Sequence, residues 1–397
     1  MASLTTCFLH ILTFLFICLP RANTIDFSYP AVFSFGDSKS DTGGLVAGVG
    51  DRLEPPNGKT YFKNPSGRFC DGRLMIDFLS MLPTSKCPFT PLGVMVFISR
   101  FIYILFFMDF CCSGCNGPSI LAAPSFRKGA NFAAVGSTIL PATASSVSPF
   151  SFGIQVAQFF RFKNRVSEIQ AKTRKYDKYI PAQDFFQKGL YTFDIGQNDL
   201  AGGFYSKTLD QILASIPSIL SEFEDGVKRL YDLGARNFWV HNTGPLGCLG
   251  QNIAKFGTDA SKLDELGCVS SHNQAAKFLN LQLYALCKKL QGQYSEANIS
   301  HTLIFSPSRF EQPLMACCGY GGPPLNYDSR IACGKTKVLD GNNVTAKACN
   351  DSNEYINWDG IHHTETANQF VASQILTGKY SDAPFADRMP FLLKLKF

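Results

Sequence analysis

Four apolar, β-rich runs along the chain each end in small or polar residues, a pattern typical of strands buried in a parallel sheet. Helical patterns lie between these runs. The runs are AVFSF (Ala31 to Phe35), GLYTFDIG (Gly189 to Gly196), RNFWVHNTGPLG (Arg236 to Gly247) and HTLIFS (His301 to Ser306). Strands that alternate with helices predict an α/β fold in which a mostly parallel sheet is covered by helices on both faces.

The first clear helical pattern has an apolar residue at every third or fourth position, and Gly234 is placed to end that helix. Pro217 interrupts the pattern, which predicts either a kink there or a new helix starting at Ser215 or Ile216. The apolar positions are Ile212, Ile216, Ile219, Phe223, Val227 and Leu230.

Two further amphipathic helices are predicted nearer the C-terminus. The last extends from about His363 to Leu376 and stops at Gly378. Their apolar positions are Ala276, Leu279, Leu283, Leu286 and Leu290 in one helix, and Ala367, Phe370, Val371 and Ile375 in the other. Because the chain contains no internal repeat and no low-complexity linker, a single α/β domain over residues 27–397 is the simplest organisation.

The stretch from Pro88 to Cys115 is apolar without any period and ends in three closely spaced cysteines. Its most apolar part, Val94 to Met108, is shorter than the roughly 20 residues that a spanning helix needs. Arg100 in its middle would cost on the order of 2.5–3.5 kcal/mol on insertion. We therefore expect no stable membrane span here; a buried hydrophobic hairpin or a lid are the alternatives.

The N-terminus has the features of a secretory signal peptide over residues 1–23. An apolar stretch from about Phe8 to Leu19 is followed by small and turn-forming residues, with Ala22 before the expected cleavage point. A buried first strand or a membrane anchor are the alternatives. The sequence contains three Asn-x-Ser/Thr acceptors for glycosylation, at Asn298, Asn343 and Asn350. Together these features predict secretion to the extracellular space or cell wall.

The chain has 14 cysteines, and most of those outside the signal lie late in the sequence, including Cys317, Cys318, Cys333 and Cys349. No C-x-x-C pair is followed by His or Cys at zinc spacing, so disulfides are expected rather than a metal site. Their pairing stays open at this stage. The net charge of +6 favours loose association with acidic cell-wall polymers. Without a basic tract interleaved with aromatics, no nucleic-acid partner is expected.

The turn after the first predicted strand contains Gly-Asp-Ser, with Ser38 at the edge where open α/β sheets bind ligands. A serine nucleophile needs a base and a group that orients the base. Asp359 and His362 lie three residues apart just before the last helix, so their side chains can lie side by side. His363 is expected to be a surface residue, whereas His241, His272 and His301 are expected to be structural or surface residues. A common polar turn at Ser38 and a helix-capping loop with a chance histidine are the alternatives.

Three groups could bind the oxyanion of an ester transition state. The backbone N–H of Ser38 lies in the turn, Gly136 offers an N–H in a loop of small residues, and Asn198 offers a side-chain amide after a strand. A role as an ordinary turn residue is the alternative for Asn198.

The blocks FSFGDSKSDTGG, GANFAAVGS, DIGQND and NWDGIHHTETAN, in that order, resemble the conserved blocks of plant GDSL esterase/lipases in the SGNH hydrolase superfamily. Within that group the chain is most similar to early-nodulin-type members, which include proteins named alpha-L-fucosidase. The resemblance implies a three-layer α/β/α sandwich of the flavodoxin-like SGNH type, no metal or organic cofactor, and secretion. It also implies that Ser38 is the nucleophile, His362 the base and Asp359 its partner. Gly136 and Asn198 would complete the oxyanion hole with the Ser38 amide.

The resemblance extends from about Phe27 to the C-terminus but lapses between about Leu82 and Arg127. We hypothesise that this atypical apolar, cysteine-rich segment, at about residues 83–127, is a translated intron or a misdrawn exon boundary rather than a real insertion. Sequencing the transcript across codons 80–130 tests this, because a spliced message that encodes the segment would contradict it. Lys39 takes the place of the leucine in the family's nominal GDSL.

The sequence predicts a secreted serine esterase/lipase that cleaves carboxylic esters through an acyl-enzyme on Ser38. Because a histidine must be neutral to act as a base, activity is expected to fall at acidic pH. A small molecule, a lipid or an acetylated polysaccharide could supply the ester, and the protein is expected to be a monomer. One alternative is a glycosidase that uses carboxylates among Asp37, Asp194 and Asp199. The other is an inactive binding protein.

Overall fold

The computed structural model describes residues 29–50, 53–80, 125–143, 146–302, 310–376 and residue 380. The predicted signal peptide and most of the atypical segment lie outside these residues. The last three residues of that segment are described, and Phe126 among them packs against Phe162 with ring centroids 5.5 Å apart. Its backbone N–H also donates to the Tyr179 carbonyl at 2.6 Å. The end of the segment is therefore part of the folded domain.

A central sheet of five strands is parallel throughout, in the order β2-β1-β3-β4-β5. Its strands are β1 (Val32–Gly36), β2 (Gly129–Asn131), β3 (Leu190–Asp194), β4 (Asn237–His241) and β5 (Asn298–Thr302). The predicted strand at His301 to Ser306 begins three residues too late, because Asn298 already pairs with Asn237 of β4. All five strands end at the same edge of the sheet, the edge at which open α/β sheets bind ligands.

Helices in the described ranges lie between and after these strands. They are α1 (Gly44–Val49), α2 (Met75–Ser80), α3 (Phe152–Lys172), α4 (Phe185–Lys188), α5 (Gln197–Gly203), α6 (Leu209–Asp232), α7 (Gly250–Phe256), α8 (Ser270–Gln293) and α9 (Glu365–Leu376). Helices on both faces of a parallel sheet confirm the predicted three-layer α/β/α architecture. No helix in this part of the chain is long and apolar enough to cross a membrane.

One face of the sheet is aromatic and packs against α3, α6 and α8. Edge-on contacts such as Phe33 with Phe159, at 5.3 Å between centroids, hold these rings together. The strand residues of this face include Phe33, Phe35, Tyr191, Phe193 and Phe238. Burial of each such ring contributes on the order of 1.5–3 kcal/mol.

The opposite face is smaller, and α2 and α9 cover part of it. Trp239 at its centre is fully buried, and its indole N–H donates to the Thr302 hydroxyl at 2.7 Å. The apolar residues that pack there are Val32, Leu74, Met75, Leu79, Leu190, Val371 and Ile375. Because α9 follows Asp359 and His362 in the chain, this contact brings the C-terminal part of the chain back to the sheet.

Helix α6 runs continuously through Pro217, so the alternative of a new helix start at Ser215 or Ile216 is wrong. The predicted apolar face is buried. A capping box between Thr208 and Gln211 supplies hydrogen-bond acceptors for two backbone N–H groups at the start of the helix. These contacts offset the roughly 3 kcal/mol that an interior proline costs. The helix ends where predicted, because Gly234 adopts a positive φ of 103°.

Helix α9 begins two residues later than predicted. Thr364 accepts from the backbone N–H of Ala367 through its hydroxyl and from that of Asn368 through its carbonyl, so it caps the helix. His363 is therefore outside the helix. In α8 the predicted apolar face is confirmed, and in α9 Val371 is buried as expected together with Ala367 and Ile375.

Short strands after residue 310 carry the loop that leads to α9. They are β6 (Gln312–Ala316), β7 (Cys318–Gly319), β8 (Thr336–Leu339), β9 (Asn342–Thr345), β10 (Lys347–Ala348) and β11 (Tyr355–Asn357). Three disulfides occur in the described residues, joining Cys248 to Cys268, Cys317 to Cys349 and Cys318 to Cys333. The expectation of disulfides is confirmed, and two of the three hold this region together.

We predict that His241 makes the protein less stable as the pH falls. His241 is buried at the end of β4, and burial, followed by His301 and Lys39, lowers its pKa to about 3. The unfolded imidazole has a pKa of roughly 6.5, so the unfolded chain binds a proton that the folded chain does not bind between these values. His241→Phe should reduce the slope of unfolding free energy against pH by about 1.4 kcal/mol per pH unit in that window.

Urea unfolding at several pH values between about 4 and 6 measures this slope. Trp239→Phe, on the same strand and face, is the control and should leave the slope unchanged. Equal slopes for wild type and His241→Phe would contradict the prediction.

Candidate active site

The turn that carries Ser38 begins where β1 ends. The backbone N–H of Asp37 donates to the Asp194 carbonyl at 3.2 Å, and the Asp37 carbonyl then accepts from Ser40 and Asp41. These bonds close a tight turn with Ser38 inside it. Gly36 is required immediately before the turn, because a Cβ there would lie 2.8 Å from the Asp194 carbonyl oxygen. The sequence therefore places a serine at the carboxyl edge of the sheet, where the end of β1 adjoins the end of β3.

A single carboxylate connects this turn to the loop that contains Gly136. Asp41 is fully buried and accepts from the backbone N–H groups of Gly43 and Leu45 in its own loop. It also accepts from Val135 at 2.8 Å. Burial raises the pKa of Asp41, and these hydrogen bonds act against the rise. Gly136, which has a φ of +72°, is thereby held beside the Ser38 turn.

Asn198 lies at the start of α5, next to the same loop. Its Nδ2 donates to the carbonyl of Ser137 at 2.9 Å, and a primary amide has a second N–H that this bond does not use. The neighbouring Asp199 accepts from the backbone N–H groups of Ile139 and Leu140, and its burial raises its pKa to about 6. The structure thus brings Ser38, Gly136 and Asn198 to the same edge of the sheet.

Asp359 and His362 form a hydrogen-bonded pair in the turn between β11 and α9. Nδ1 of His362 lies 2.7 Å from Oδ2 of Asp359, and Oδ1 accepts from the backbone N–H groups of Ile361 and His362. Burial acts to raise the pKa of Asp359, but His362 and these hydrogen bonds outweigh it, so the pKa lies below its usual value. An imidazole that donates from Nδ1 leaves Nε2 as an acceptor.

Glycine is needed inside this turn. Gly360 has a φ of +95°, and a Cβ there would lie 2.1 Å from the ring of Tyr327. Its carbonyl accepts from the backbone N–H of Gln251 at 3.0 Å, which connects the turn to α7. The ring of Phe69 packs against the His362 imidazole, with ring centroids 5.4 Å apart. These contacts fix the orientation of the imidazole.

The Ser38 and His362 turns meet at one place in the fold. The residue after each, Lys39 and His363, lines the same cavity of about 10 Å³. His362 also interacts electrostatically with Asp37, the residue before Ser38. The prediction of His363 as a surface residue is wrong: it is half-buried against Lys39, and burial, followed by Lys39 and His362, lowers its pKa to about 3.

The remaining described histidines lie in the core, as structural residues. His272 stacks on Phe204 with ring centroids 3.6 Å apart, and burial lowers its pKa to about 4. His301 is buried on β5 against Tyr284, and His241 is buried at the end of β4.

Two positioning residues were missed in the sequence. Gln155 of α3 accepts from the Gly36 N–H through Oε1 and donates to the Gly36 carbonyl through Nε2, at 3.0 and 2.8 Å. Asp71 accepts from the hydroxyls of Thr60 and Ser352 and from the Glu365 N–H, the first residue of α9. Neither residue has a local signal in the sequence, because the groups that Gln155 and Asp71 bind include ones far away in the chain.

The three predicted glycosylation acceptors differ in their surroundings. Asn343, on β9, and Asn350, in the loop after β10, are exposed. Asn298 is half-buried as the first residue of β5, and its Nδ2 donates to Oδ1 of Asn237 at 3.0 Å. A glycan would have to be attached at that same nitrogen, so the geometry favours Asn343 and Asn350.

No cluster of three or more side chains able to hold a metal ion occurs within the described ranges. The carboxylates considered for a glycosidase are buried or engaged by backbone N–H groups. Asp37 and Asp194 are buried next to each other, and Asp199 is engaged by the Gly136 loop. Side chains in these positions do not flank an open site.

The GDSL-like lipase/acylhydrolase family matches residues 32–375 of the chain. A GDSL esterase/lipase of Arabidopsis thaliana is 57% identical over 425 residues, covering 98% of each chain. Alpha-L-fucosidase 3 of the same plant is 38% identical over 375 residues, 90% of this chain and 93% of that protein. GDSL esterase/lipase ENOD8 of Medicago truncatula is 37% identical over 390 residues, 94% and 93% of the two chains. The similarity therefore spans nearly the whole chain.

We predict that Asp41→Asn weakens the fold by loosening the connection between the two loops of the site. The side-chain amide of asparagine has one oxygen and one NH₂ group, so an N–H would replace one of the oxygens that now accept from backbone N–H groups. The unfolding free energy should fall by about 1–3 kcal/mol, which urea unfolding measures. Asp225→Asn, on the exposed side of α6, is the matched control and should change it by less than about 0.5 kcal/mol. Equal stability of the two variants would contradict the role assigned to Asp41.

Proposed function

The chain belongs to the GDSL-like lipase/acylhydrolase family of ester hydrolases, and we propose that Ser38, His362 and Asp359 hydrolyse the ester as a catalytic triad. The observation that carries this proposal is the 2.7 Å hydrogen bond between Asp359 and His362 in a turn that meets the Ser38 turn. A carboxylate that holds an imidazole in one tautomer is the arrangement by which a histidine activates a serine.

The first half of the reaction forms an acyl-enzyme. Nε2 of His362 takes the proton of the Ser38 hydroxyl as the serine oxygen attacks the ester carbonyl. The tetrahedral intermediate collapses, the bond to the leaving alcohol breaks, and His362 gives that alcohol its proton. Throughout, Asp359 accepts from Nδ1 and stabilises the positive imidazolium. Its lowered pKa supports this role, because the carboxylate then stays ionised.

In the second half, water replaces the alcohol. His362 takes a proton from water, the resulting hydroxide attacks the acyl carbonyl, and the proton returns to Ser38 as the carboxylic acid leaves. The negative oxygen of both intermediates would accept from the backbone N–H groups of Ser38 and Gly136 and from the amide of Asn198. Each such donor typically contributes on the order of 10²- to 10³-fold in rate.

We further propose that the protein is secreted, acts as a monomer and uses no cofactor. The three disulfides support export, because disulfides persist in oxidising compartments. Exposed Asn343 and Asn350 would accept glycans there. The ester could belong to a small molecule, a lipid or an acetylated polysaccharide.

We predict that Ser38→Ala abolishes hydrolysis of p-nitrophenyl butyrate, because the reaction loses its nucleophile. The loss should be at least about 10³-fold in kcat. Ser34→Ala is the matched control, since it removes a buried hydroxyl on β1 four residues earlier, and it should retain activity. A fluorophosphonate probe should label wild type and Ser34→Ala but not Ser38→Ala. Unchanged ester hydrolysis in Ser38→Ala would contradict the proposal.

The same proteins should be tested on p-nitrophenyl α-L-fucoside, because one relative is named a fucosidase. Cleavage of the fucoside that survives Ser38→Ala would favour the glycosidase alternative. If the wild type cleaves neither substrate, the alternative of an inactive binding protein is favoured.

We predict that Asp359→Asn lowers kcat by roughly 10³- to 10⁴-fold, because the amide no longer holds the imidazole in the required tautomer. The substrate KM should change little, since Asp359 does not face the substrate. Steady-state kinetics with p-nitrophenyl butyrate separates the two parameters. A variant with wild-type kcat would show that Asp359 does not orient the base.

A further inference from the structure

Trp358 lies directly before Asp359 and closes the turn that carries His362. Its backbone N–H donates to the His362 carbonyl at 2.7 Å, and its own carbonyl accepts from the backbone N–H of Cys318 at 2.6 Å. The indole is fully buried in an apolar cluster with Cys317 and Cys318. Trp358 is therefore part of the same hydrogen bonds that set the shape of the turn.

A side chain from the early part of the chain binds the indole. Nε1 of Trp358 donates to Oδ1 of Asn57 at 3.0 Å, although the two residues are 301 positions apart. Asn57 is buried, and its Nδ2 and its backbone N–H both donate to the Glu54 carbonyl, at 3.0 and 3.3 Å. Because Nδ2 is bound within its own turn, the amide has one orientation, and its oxygen is the atom that faces the indole.

Lys59 binds the same region from a second position. Its Nζ donates to the Cys349 carbonyl at 2.6 Å and lies 5.8 Å from the centroid of the Trp358 ring. Cys349 is in turn joined to Cys317 by a disulfide. Two side chains from the turn of residues 54–59 thus hold the segment that leads into Asp359.

A contact of this kind affects more than stability, because the rate of a reaction is sensitive to the position of its base. A misplacement of about 1 Å can lower a rate by 10²-fold. We propose that Trp358 and Asn57 are positioning residues for ester hydrolysis. Their hydrogen bond holds the turn in the shape in which Oδ2 of Asp359 reaches Nδ1 of His362. The inference rests on the proposed roles of Asp359 and His362.

The test removes first the indole N–H and then its acceptor. Trp358→Phe should lower kcat for p-nitrophenyl butyrate by about 10- to 100-fold and change KM little, because the base is displaced rather than the substrate. Asn57→Leu should have the same effect, whereas Asn57→Asp, which keeps an acceptor oxygen, should restore most of the wild-type kcat. Labelling with a fluorophosphonate probe counts the active sites, so that kcat refers to folded enzyme.

Trp239→Phe is the matched control. It removes a second buried indole, whose N–H donates to the Thr302 hydroxyl, and it should keep the wild-type kcat. Wild-type kcat in Trp358→Phe overturns the proposal. If Trp358→Phe does not fold, Asn57→Leu and Asn57→Asp test the same bond, and equal kcat values in these two variants overturn the proposal.

Combined variants separate the positioning of the pair from a general loss of stability. In the double variant Trp358→Phe, Asn57→Leu, kcat should fall no further than in either single variant, because both changes remove the same bond. With Asp359→Asn already present, adding Trp358→Phe should lower kcat by less than about threefold, because the orientation that it supports is already lost. A full additional loss in the Asp359→Asn background means that Trp358 acts independently of the pair, which overturns the proposal.

A measurement that needs no activity separates this inference from the proposed function. An imidazole N–H that donates to a buried carboxylate gives a proton NMR signal far downfield, and the loss of that signal in Asp359→Asn assigns it to His362. In Trp358→Phe the signal should move upfield or broaden, because a longer hydrogen bond deshields the proton less. It should stay in place in Trp239→Phe, and an unchanged signal in Trp358→Phe overturns the proposal. If the wild type hydrolyses no ester, the proposed function fails, whereas the signal still tests the geometry of the pair.

Discussion

The end of strand β1 is the constraint on which the site depends. At Gly36 the chain must pass close to the Asp194 carbonyl of β3, and the side-chain amide of Gln155 holds both the N–H and the carbonyl of that glycine. The backbone therefore cannot continue as a strand, and it turns at Asp37, which places the buried Ser38 at the carboxyl edge of the sheet. The aromatic face beneath supplies the rigidity, because Phe33 and Phe35 on the same strand are fully buried among rings from α3 and β3. A turn anchored in this way holds a side chain with less motion than a surface loop would.

The Asp359–His362 turn has a different kind of support, since it comes from a region of short strands rather than from the central sheet. In this region disulfides join Cys317 to Cys349 and Cys318 to Cys333. The backbone N–H groups of Cys317 and Cys318 donate to the carbonyls of Asn357 and Trp358. From the other side, Asp71 caps α9 at Glu365, and Arg73 forms an ion pair with the Glu365 carboxylate at 2.5 Å. The imidazole is thus held by segments close to both ends of the described chain.

Buried ionisable side chains are concentrated at the carboxyl edge of the sheet, and burial affects the histidines and the carboxyls there in opposite directions. Burial keeps His241 and His363 neutral, whereas it raises the pKa of the buried carboxyls of Asp37, Asp194 and Asp41. Such groups lower stability unless they are paired, and they are found where a fold carries out chemistry. The arrangement is consistent with the family to which the chain belongs, because an ester hydrolase must stabilise both an imidazolium and an oxyanion within a few ångströms.

From the sequence alone, the alternation of strands and helices, the α/β/α layers and the apolar faces of α6 and α8 were predictable, because period and burial are local properties. So were Ser38, Asp359 and His362 as candidates, since each lies in a short motif. The sequence did not determine the pairing of the cysteines, the continuity of α6 through Pro217 or the burial of His363. It also did not reveal Gln155 or Asp71. These features depend on contacts between residues far apart in the chain, and only the tertiary structure decides which distant groups satisfy a buried donor, a carboxylate or a charge.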